Sequence, residues 1–355
     1  MKKIGILTFH RAINHGASLQ TFALMTILNK EKIFEVFQID LEEPYITNGS
    51  KLINIRKENL IRSTIGTMVR FPASLIRNFK FKKFWERYLN FSEKYSDKIG
   101  FFDYYIVGSD QVWNFDIIGN DLNFLLDIDV DRTKIRKISY AASIGKSSLN
   151  EVEEKNFIKY LSDFDSISVR EKSAQNSLAK INIKSEVVLD PTLLLSDEEW
   201  FGELEITSKK TDEFILVYTL EENPQINNAV DFYKKHLDIT KVIYISSSIN
   251  LHKMSNTYDP KEFIALFKNA SFIITNSFHG TAFSVNFKKR FATIPHKTRS
   301  ARMVDFLTLV NLETQIINSE KDFSYALKII DYEKVNKVLD FERQKSIEYL
   351  RESLR

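Results

Sequence analysis

The chain has 355 residues, 43% of them apolar, with 28 Phe and 14 Tyr. That supply suits two domains better than one core. A formal net charge of +3 is too small to argue for nucleic acid, and none is expected as a partner; the absence of cysteine excludes disulfides and thiolate chemistry. The N-terminal apolar run is too short for a secretory signal, and no stretch approaches membrane-spanning length, so a cytoplasmic location is expected.

In chain order the pattern is that of an α/β protein with parallel sheets. "KIGILTF" reads as a first strand. A loop, "HRAINHGA", leads into the helical run "SLQTFALMTILNK", whose Leu19, Phe22, Ala23 and Leu28 fall near helical spacing. "FEVFQI" is the next strand, and residues 51–95 form a basic, aromatic helical insertion. "YYIVG", "IRKISYAA" and "SISV" are strands, with a loop "SDQVWN" and a helix near "EVEEKNFIKYLSDF" between them. Asp190-Pro191 in "VVLDPTLLL" is a turn signal. After it the rhythm restarts with strands "EFILVYTL", "KVIYIS", "SFIIT" and "RFATI". Helices near 225–236, 260–269, 280–288 and 301–309 separate them, and the end of the chain reads as one helix. The expected division is residues 1–190, residues 191–318, and terminal helices 319–355 that return to the first domain.

Both halves carry a strand, a polar loop with His and Gly, and then a helix: "ILTFHRAINHGASLQ" and "IITNSFHGTAFS". In parallel α/β sheets ligands sit beyond the carboxyl ends of strands, and the N–H groups opening the next helix favour anions. Two such loops imply a cleft between the domains. Asn276, Ser277, His279 and Gly280 are suited to gripping an anion and offering it one titratable group.

The ordered set "GILTFHRAINHGASLQTFAL", "VGSDQVWN", "SVRE", "VVLDPTLLL" and "SFHGTAFS" resembles the polysaccharide pyruvyl transferase family. The resemblance runs from about Lys3 to about Leu312. It implies two Rossmann-like domains facing a cleft, similar to GT-B glycosyltransferases. It also implies transfer of the pyruvyl group of phosphoenolpyruvate to a sugar or lipid-linked oligosaccharide of a bacterial surface polysaccharide, as a ketal. Phosphoenolpyruvate is then the donor substrate, and no cofactor is required.

The resemblance makes Arg170 a donor-binding residue. Its planar fork suits a carboxylate or phosphate, although a pair with Glu171 or another acid would explain it equally well. His279 matches the family's "HG" histidine at the donor. A structural cap is the alternative, but Asn276 or Ser277 can already cap that helix. Asp110 is a candidate base for a sugar hydroxyl, balanced against a role as N-cap of a short helix. Trp113 is suited to stacking on a sugar, with a core position weighing more. In the first loop His15 and Asn14 are acceptor-side candidates, with His10 and Gln20 less specific. Arg299 and Arg302, in "HKTRSARM", are candidates for donor phosphate, against an ordinary solvated loop.

Residues 51–87 hold ten Lys or Arg against two Glu, interleaved with aromatic residues. Such a segment can lie on an anionic membrane, giving peripheral contact at the inner face of the cytoplasmic membrane. Packing on the domain core is the favoured reading. "DIDVD" superficially resembles a calcium loop or a glycosyltransferase DxD; the calcium reading fails because Arg132 and Ile138 occupy its glycine and closing glutamate positions, and no metal site is assigned. Two other functions stay open: a nucleotide-sugar glycosyltransferase on the same plan, and a non-catalytic carbohydrate-binding protein.

Overall fold

The computed structural model describes residues 1–41, 60–92, 101–119, 121–128, 133–207, 212–221, 223–246, 257–295 and 301–355, with only the backbone course over 60–71. Two parallel sheets organise it. The first has β1 (Lys2–Leu7), β2 (Phe34–Gln38), β3 (Tyr104–Val107), β4 (Arg136–Ala142), β5 (Ser166–Val169) and β6 (Glu186–Val187), in the order β2-β1-β3-β4-β5-β6. The second has β7 (Ile215–Thr219), β8 (Val242–Ser246), β9 (Phe272–Thr275) and β10 (Phe291–Thr293), in the order β10-β9-β7-β8. Every pairing between these strands is parallel. The central strands are apolar because helices cover both faces.

The helices are α1 (His15–Lys30), α2 (Leu60–Tyr88), α3 (Phe115–Ile118), α4 (Glu151–Leu161), α5 (Lys172–Lys180) and α6 (Asp197–Glu203), then α7 (Pro224–Leu237), α8 (Pro260–Asn269), α9 (Phe278–Asn286), α10 (Ala301–Leu309) and α11 (Tyr332–Ser353). The strand β6 and the helices α5 and α6 are additions to the sequence reading. Of the predicted 51–95 insertion, the structure describes α2 and its exit; residues 51–59 and 93–95 lie outside the described residues.

In each sheet the strand order reverses direction once, between β1 and β3 and between β7 and β9. These are the switch points where α/β folds place ligands. The two lobes also share apolar packing. One buried cluster runs from Ile4 and Leu24 in the first lobe to Phe263 and Phe283 in the second. Trp200 bridges it, with its ring centroid 5.5 Å from that of Phe22 and 5.4 Å from that of Phe283.

The terminal helix α11 ties the lobes together. Near its start, the Tyr332 hydroxyl donates to backbone carbonyls of Ser284 and Lys289 in the second lobe. At its end, the Tyr349 hydroxyl donates to the Ser139 carbonyl at 2.9 Å, beneath the first sheet. Between them Arg343 donates to the Leu193 carbonyl at 2.7 Å and to Asn286 Oδ1 at 2.6 Å.

Candidate active site

Arg170 is the residue after β5 and His279 lies in the first turn of α9, so each stands at the carboxyl end of a sheet. Asp110 follows β3, with φ of +71°, a left-handed conformation that Asp tolerates better than most residues. Asp190 follows the segment beyond β6 and opens the turn Pro191–Leu193. The fold converges these four positions on one polar centre.

Arg170 Nη1 lies 2.5 Å from Asp190 Oδ2, its Nη2 lies 3.5 Å from Asp110 Oδ1, and its Nε lies 3.9 Å from Glu171 Oε2. The guanidinium is thus already paired with a buried acid, Asp190, rather than standing free for a ligand. Asp190 Oδ2 also accepts from Ser109 Oγ at 3.0 Å, while Oδ1 accepts from the Thr192 N–H and hydroxyl at 3.0 and 2.7 Å. Burial alone would raise the Asp190 pKa; Arg170, then His279 and the Thr192 hydroxyl outweigh it and hold it at about 2. For Arg170, burial opposes the charge, and Asp190, Asp110 and Glu171 together overcome that, raising its pKa.

His279 Nε2 lies 3.9 Å from Asp190 Oδ2, too far for a hydrogen bond, and is buried without a partner. Burial, only partly offset by Asp190 and Asp110, pushes its pKa down, so the ring is neutral at pH 7. Arg170 Nε and Glu171 Oε2 are likewise buried without hydrogen-bond partners. Those two atoms face each other at 3.9 Å as an ion pair, whereas His279 Nε2 is an orphaned polar atom of the kind uncommon in native interiors. The other Glu171 oxygen accepts from Ser143 Oγ, Ile144 N and Gly145 N at 2.8, 3.1 and 3.3 Å, which fixes the carboxylate in place.

A cavity of about 400 Å³ opens beside this centre, lined by Arg170, Asp190, Phe278, Arg302, Asp305 and Leu193 among others. Its floor is Phe278, with the guanidinium carbon of Arg170 4.7 Å and that of Arg302 6.0 Å from the ring centroid. Arg302 makes no ion pair among the described residues. Burial and the neighbouring Arg170 depress its pKa to about 10. It remains charged at neutral pH and is available to an anion. Arg299, its sequence companion, lies outside the described residues.

Other predicted site residues take structural posts. Asn276 uses its amide to join the loops after β7 and β9, accepting from Leu220 N at 2.8 Å and donating to the Glu221 carbonyl at 2.9 Å. Ser277 caps α9 through the Gly280 N–H. Gly280 is required by packing, since a Cβ there would come 2.2 Å from Thr275 Oγ1. Asn14 caps α1, accepting from Gly16 N at 2.8 Å. The sequence expectation for Asp110 as a helix cap is corrected: Asn114 caps α3, and Asp110 Oδ1 accepts from the adjacent Gln111 N–H.

Two acceptor-side assignments are overturned by burial. Trp113 has no exposed surface, and its Nε1 donates to the Phe124 carbonyl at 2.9 Å, so it is core and cannot stack on a sugar. His15 is buried between the lobes, stacked on Phe263 with centroids 4.6 Å apart, and its Nε2 meets the Tyr258 carbonyl at 2.9 Å. Its neighbour Gly16 reaches the centre instead. A Cβ on Gly16 would fall 2.1 Å from His279 Nδ1, so the two His-Gly loops touch across the lobes. His10 is fully buried, 3.1 Å from Asp40 Oδ1, beside the Arg11–Asp40 pair.

The sequence reading missed Asp190 as a site residue, taking it only as a turn. Ser109, Phe278 and Asp305 carried no sequence signal.

A family model described as polysaccharide pyruvyl transferase matches residues 14–298. The chain belongs to that family. The match spans all of the converging residues except Arg302 and Asp305. No curated protein sequence matches the chain. Among solved structures, UDP-GlcNAc 2-epimerase from Neisseria meningitidis is similar over 100% of this chain and 99% of its own, with TM-score 0.52 and 12% identity. The UDP-GlcNAc 2-epimerase from Methanocaldococcus jannaschii is similar over 93% of both chains, with TM-score 0.52 and 15% identity. At such identities the likeness shows a shared GT-B-like fold. No group of His, Cys, Asp or Glu among the described residues could hold a metal ion. No helix among them is long and apolar enough to cross a membrane.

Proposed function

We propose that the chain transfers the pyruvyl group of phosphoenolpyruvate to two hydroxyls of a sugar, forming a ketal and releasing inorganic phosphate. The observation that carries this reading is His279 Nε2: buried, unpartnered, and flanked by Arg170 and Asp190. Family membership supports the reaction class.

The donor carries a phosphate and a carboxylate. Arg302, unpaired among the described residues, offers its guanidinium beside Phe278 to one of these anions, and Arg170, held by Asp190, adds its positive charge next to it. Asp110 keeps 15% of its side chain exposed, against 2% for Arg170 and Glu171 and none for Asp190. It is therefore the carboxylate of the centre that an acceptor hydroxyl can reach.

The steps balance as follows. A first sugar hydroxyl adds to C2 of the enol phosphate, and the proton it loses reaches the C3 methylene, which becomes methyl. A second hydroxyl then forms the other C2–O bond as the C2–O bond to phosphate breaks. Its proton leaves with the phosphate. Asp110 takes a hydroxyl proton, and His279, neutral throughout, keeps its own proton and hydrogen-bonds the departing phosphate through its Nε2–H. Asp190 fixes Arg170 and biases the facing imidazole nitrogen toward its protonated form.

Thermal melting with phosphoenolpyruvate tests the donor assignment. Ligand at a hundredfold excess over its dissociation constant stabilises by about 2.7 kcal/mol. A rise in melting temperature with phosphoenolpyruvate, lost in Arg302→Ala, is expected. A rise with a nucleoside diphosphate and none with phosphoenolpyruvate would overturn it in favour of nucleotide-sugar chemistry.

A further inference from the structure

The helix α2 presents apolar side chains on two opposite faces. Inward, Phe81, Phe84 and Trp85 are at most 5% exposed, and Trp85 Nε1 donates to Ser18 Oγ at 2.8 Å. This is the core packing expected for an insertion. Outward, Leu75, Ile76 and Phe79 are 41%, 50% and 60% exposed. They are followed on the same face, at helical spacing, by Lys82 and Lys83. Lys82 is 66% exposed, and the Lys83 ammonium lies 5.1 Å from the Phe79 ring centroid. Core packing accounts for the inner face and leaves the outer one unexplained.

Charge distribution indicates what covers it. Residues 51–87 carry ten Lys or Arg and two Glu, a net of +8, while the whole chain carries +3. The rest of the chain therefore sums to −5, so the basic excess of the sequence is concentrated in the segment that contains this helix. Apolar side chains beside lysines match a bilayer interface: rings and aliphatic groups enter the headgroup boundary while ammonium groups stay among the phosphates. We propose that the outer face of α2, Leu75, Ile76 and Phe79 with Lys82 and Lys83, docks on a lipid surface bearing anionic headgroups.

The loop after β1 packs on the opposite, inner face of the same helix. The Arg11 guanidinium lies 5.7 Å from the Trp85 ring, on the helix that bears the face. Lys80 joins the helix to the second lobe through Glu262 at 2.8 Å. A docked molecule would thus hold both lobes close to the bilayer, which suits an acceptor tethered to lipid.

Co-sedimentation with vesicles tests this, using phosphatidylcholine alone and phosphatidylcholine mixed with phosphatidylglycerol. The wild-type chain is expected to pellet with the mixed vesicles at low salt and less at high salt. Lys82→Gln with Lys83→Gln should weaken binding roughly 25-fold, at about fivefold per lysine near an anionic surface. Leu75→Ser with Ile76→Ser and Phe79→Ser should abolish it. If that triple variant fails to fold, the lysine pair, being exposed, still gives the answer. Phosphate release with a soluble sugar should be unchanged in the lysine variant, which separates docking from the chemistry. Wild-type protein remaining in the supernatant, or a lysine variant pelleting like wild type, would overturn the proposal. So would a concentration-dependent dimer that the apolar variant dissolves without any vesicle binding.

Discussion

The imidazole of His279 rests against the α-carbon of Gly16, close enough that a Cβ on Gly16 would lie 2.1 Å from Nδ1. One residue opens the helix after the first strand of the first lobe, and the other opens the corresponding helix of the second. The contact packs the Nδ1 side of the ring and leaves Nε2 without a hydrogen-bond partner.

Gly16→Ala therefore displaces His279. A misplacement of about 1 Å can cost on the order of 100-fold in rate. The expected result is a large loss of phosphate release with a smaller loss of stability, read by steady-state assay and urea unfolding on one preparation. A variant with wild-type rate would show that the ring position is unimportant.

Asp190→Asn leaves Arg170 buried beside a neutral amide, with Asp110 and Glu171 more distant. Removing one partner of a buried pair typically costs about 3–5 kcal/mol. Urea unfolding at neutral pH should show a loss of that order. A loss below about 1 kcal/mol would mean that Asp110 and Glu171 suffice to hold the charge.

Burial lowers the His15 pKa to about 4, with the Tyr258 carbonyl only partly opposing it. The unfolded chain binds the proton near pH 6.5, while the folded chain resists it until about pH 4. Above pH 6.5 the ring is neutral in both states and the difference contributes nothing; as pH falls from 6.5 toward 4 the unfolded chain gains the proton first, which destabilises the fold by roughly 3 kcal/mol in all. His15→Phe keeps the stack on Phe263 and should flatten the acid limb of the stability curve across that window. An equally steep limb in the variant would assign the dependence to other groups.

Trp113→Phe should lower stability by about 1–3 kcal/mol, because the Phe124 carbonyl loses its donor. The KM for the sugar should stay unchanged. A raised KM with intact stability would restore an acceptor role for the indole.

Much of the fold was legible because parallel strands covered on both faces read as apolar runs, as in "YYIV" and "FIIT". The strand β6 escaped because it is two residues long. The helix α5 escaped because "KSAQNSLAK" is mostly polar and buries only Ala174, Ser177 and Leu178. In the site, strand-end positions together with the family resemblance singled out Arg170, Asp110 and His279. Sequence could not tell which side of a loop faces the cleft, so His15 was taken for its neighbour Gly16. Nor does it separate two possible capping residues four apart: a cap at Asp110 weighed evenly with a role as base, and the cap is Asn114. Asp190 was visible only as half of an Asp-Pro turn, since its partner Arg170 lies twenty residues earlier in the chain.

The most direct test is sugar-dependent release of phosphate from phosphoenolpyruvate by wild type and His279→Ala, each first shown folded by its unfolding curve. Release by wild type only when a sugar diol is present, and a fall of about 100-fold or more in the variant, is the predicted result. Release at the wild-type rate by His279→Ala would contradict the account and leave the histidine a packing residue.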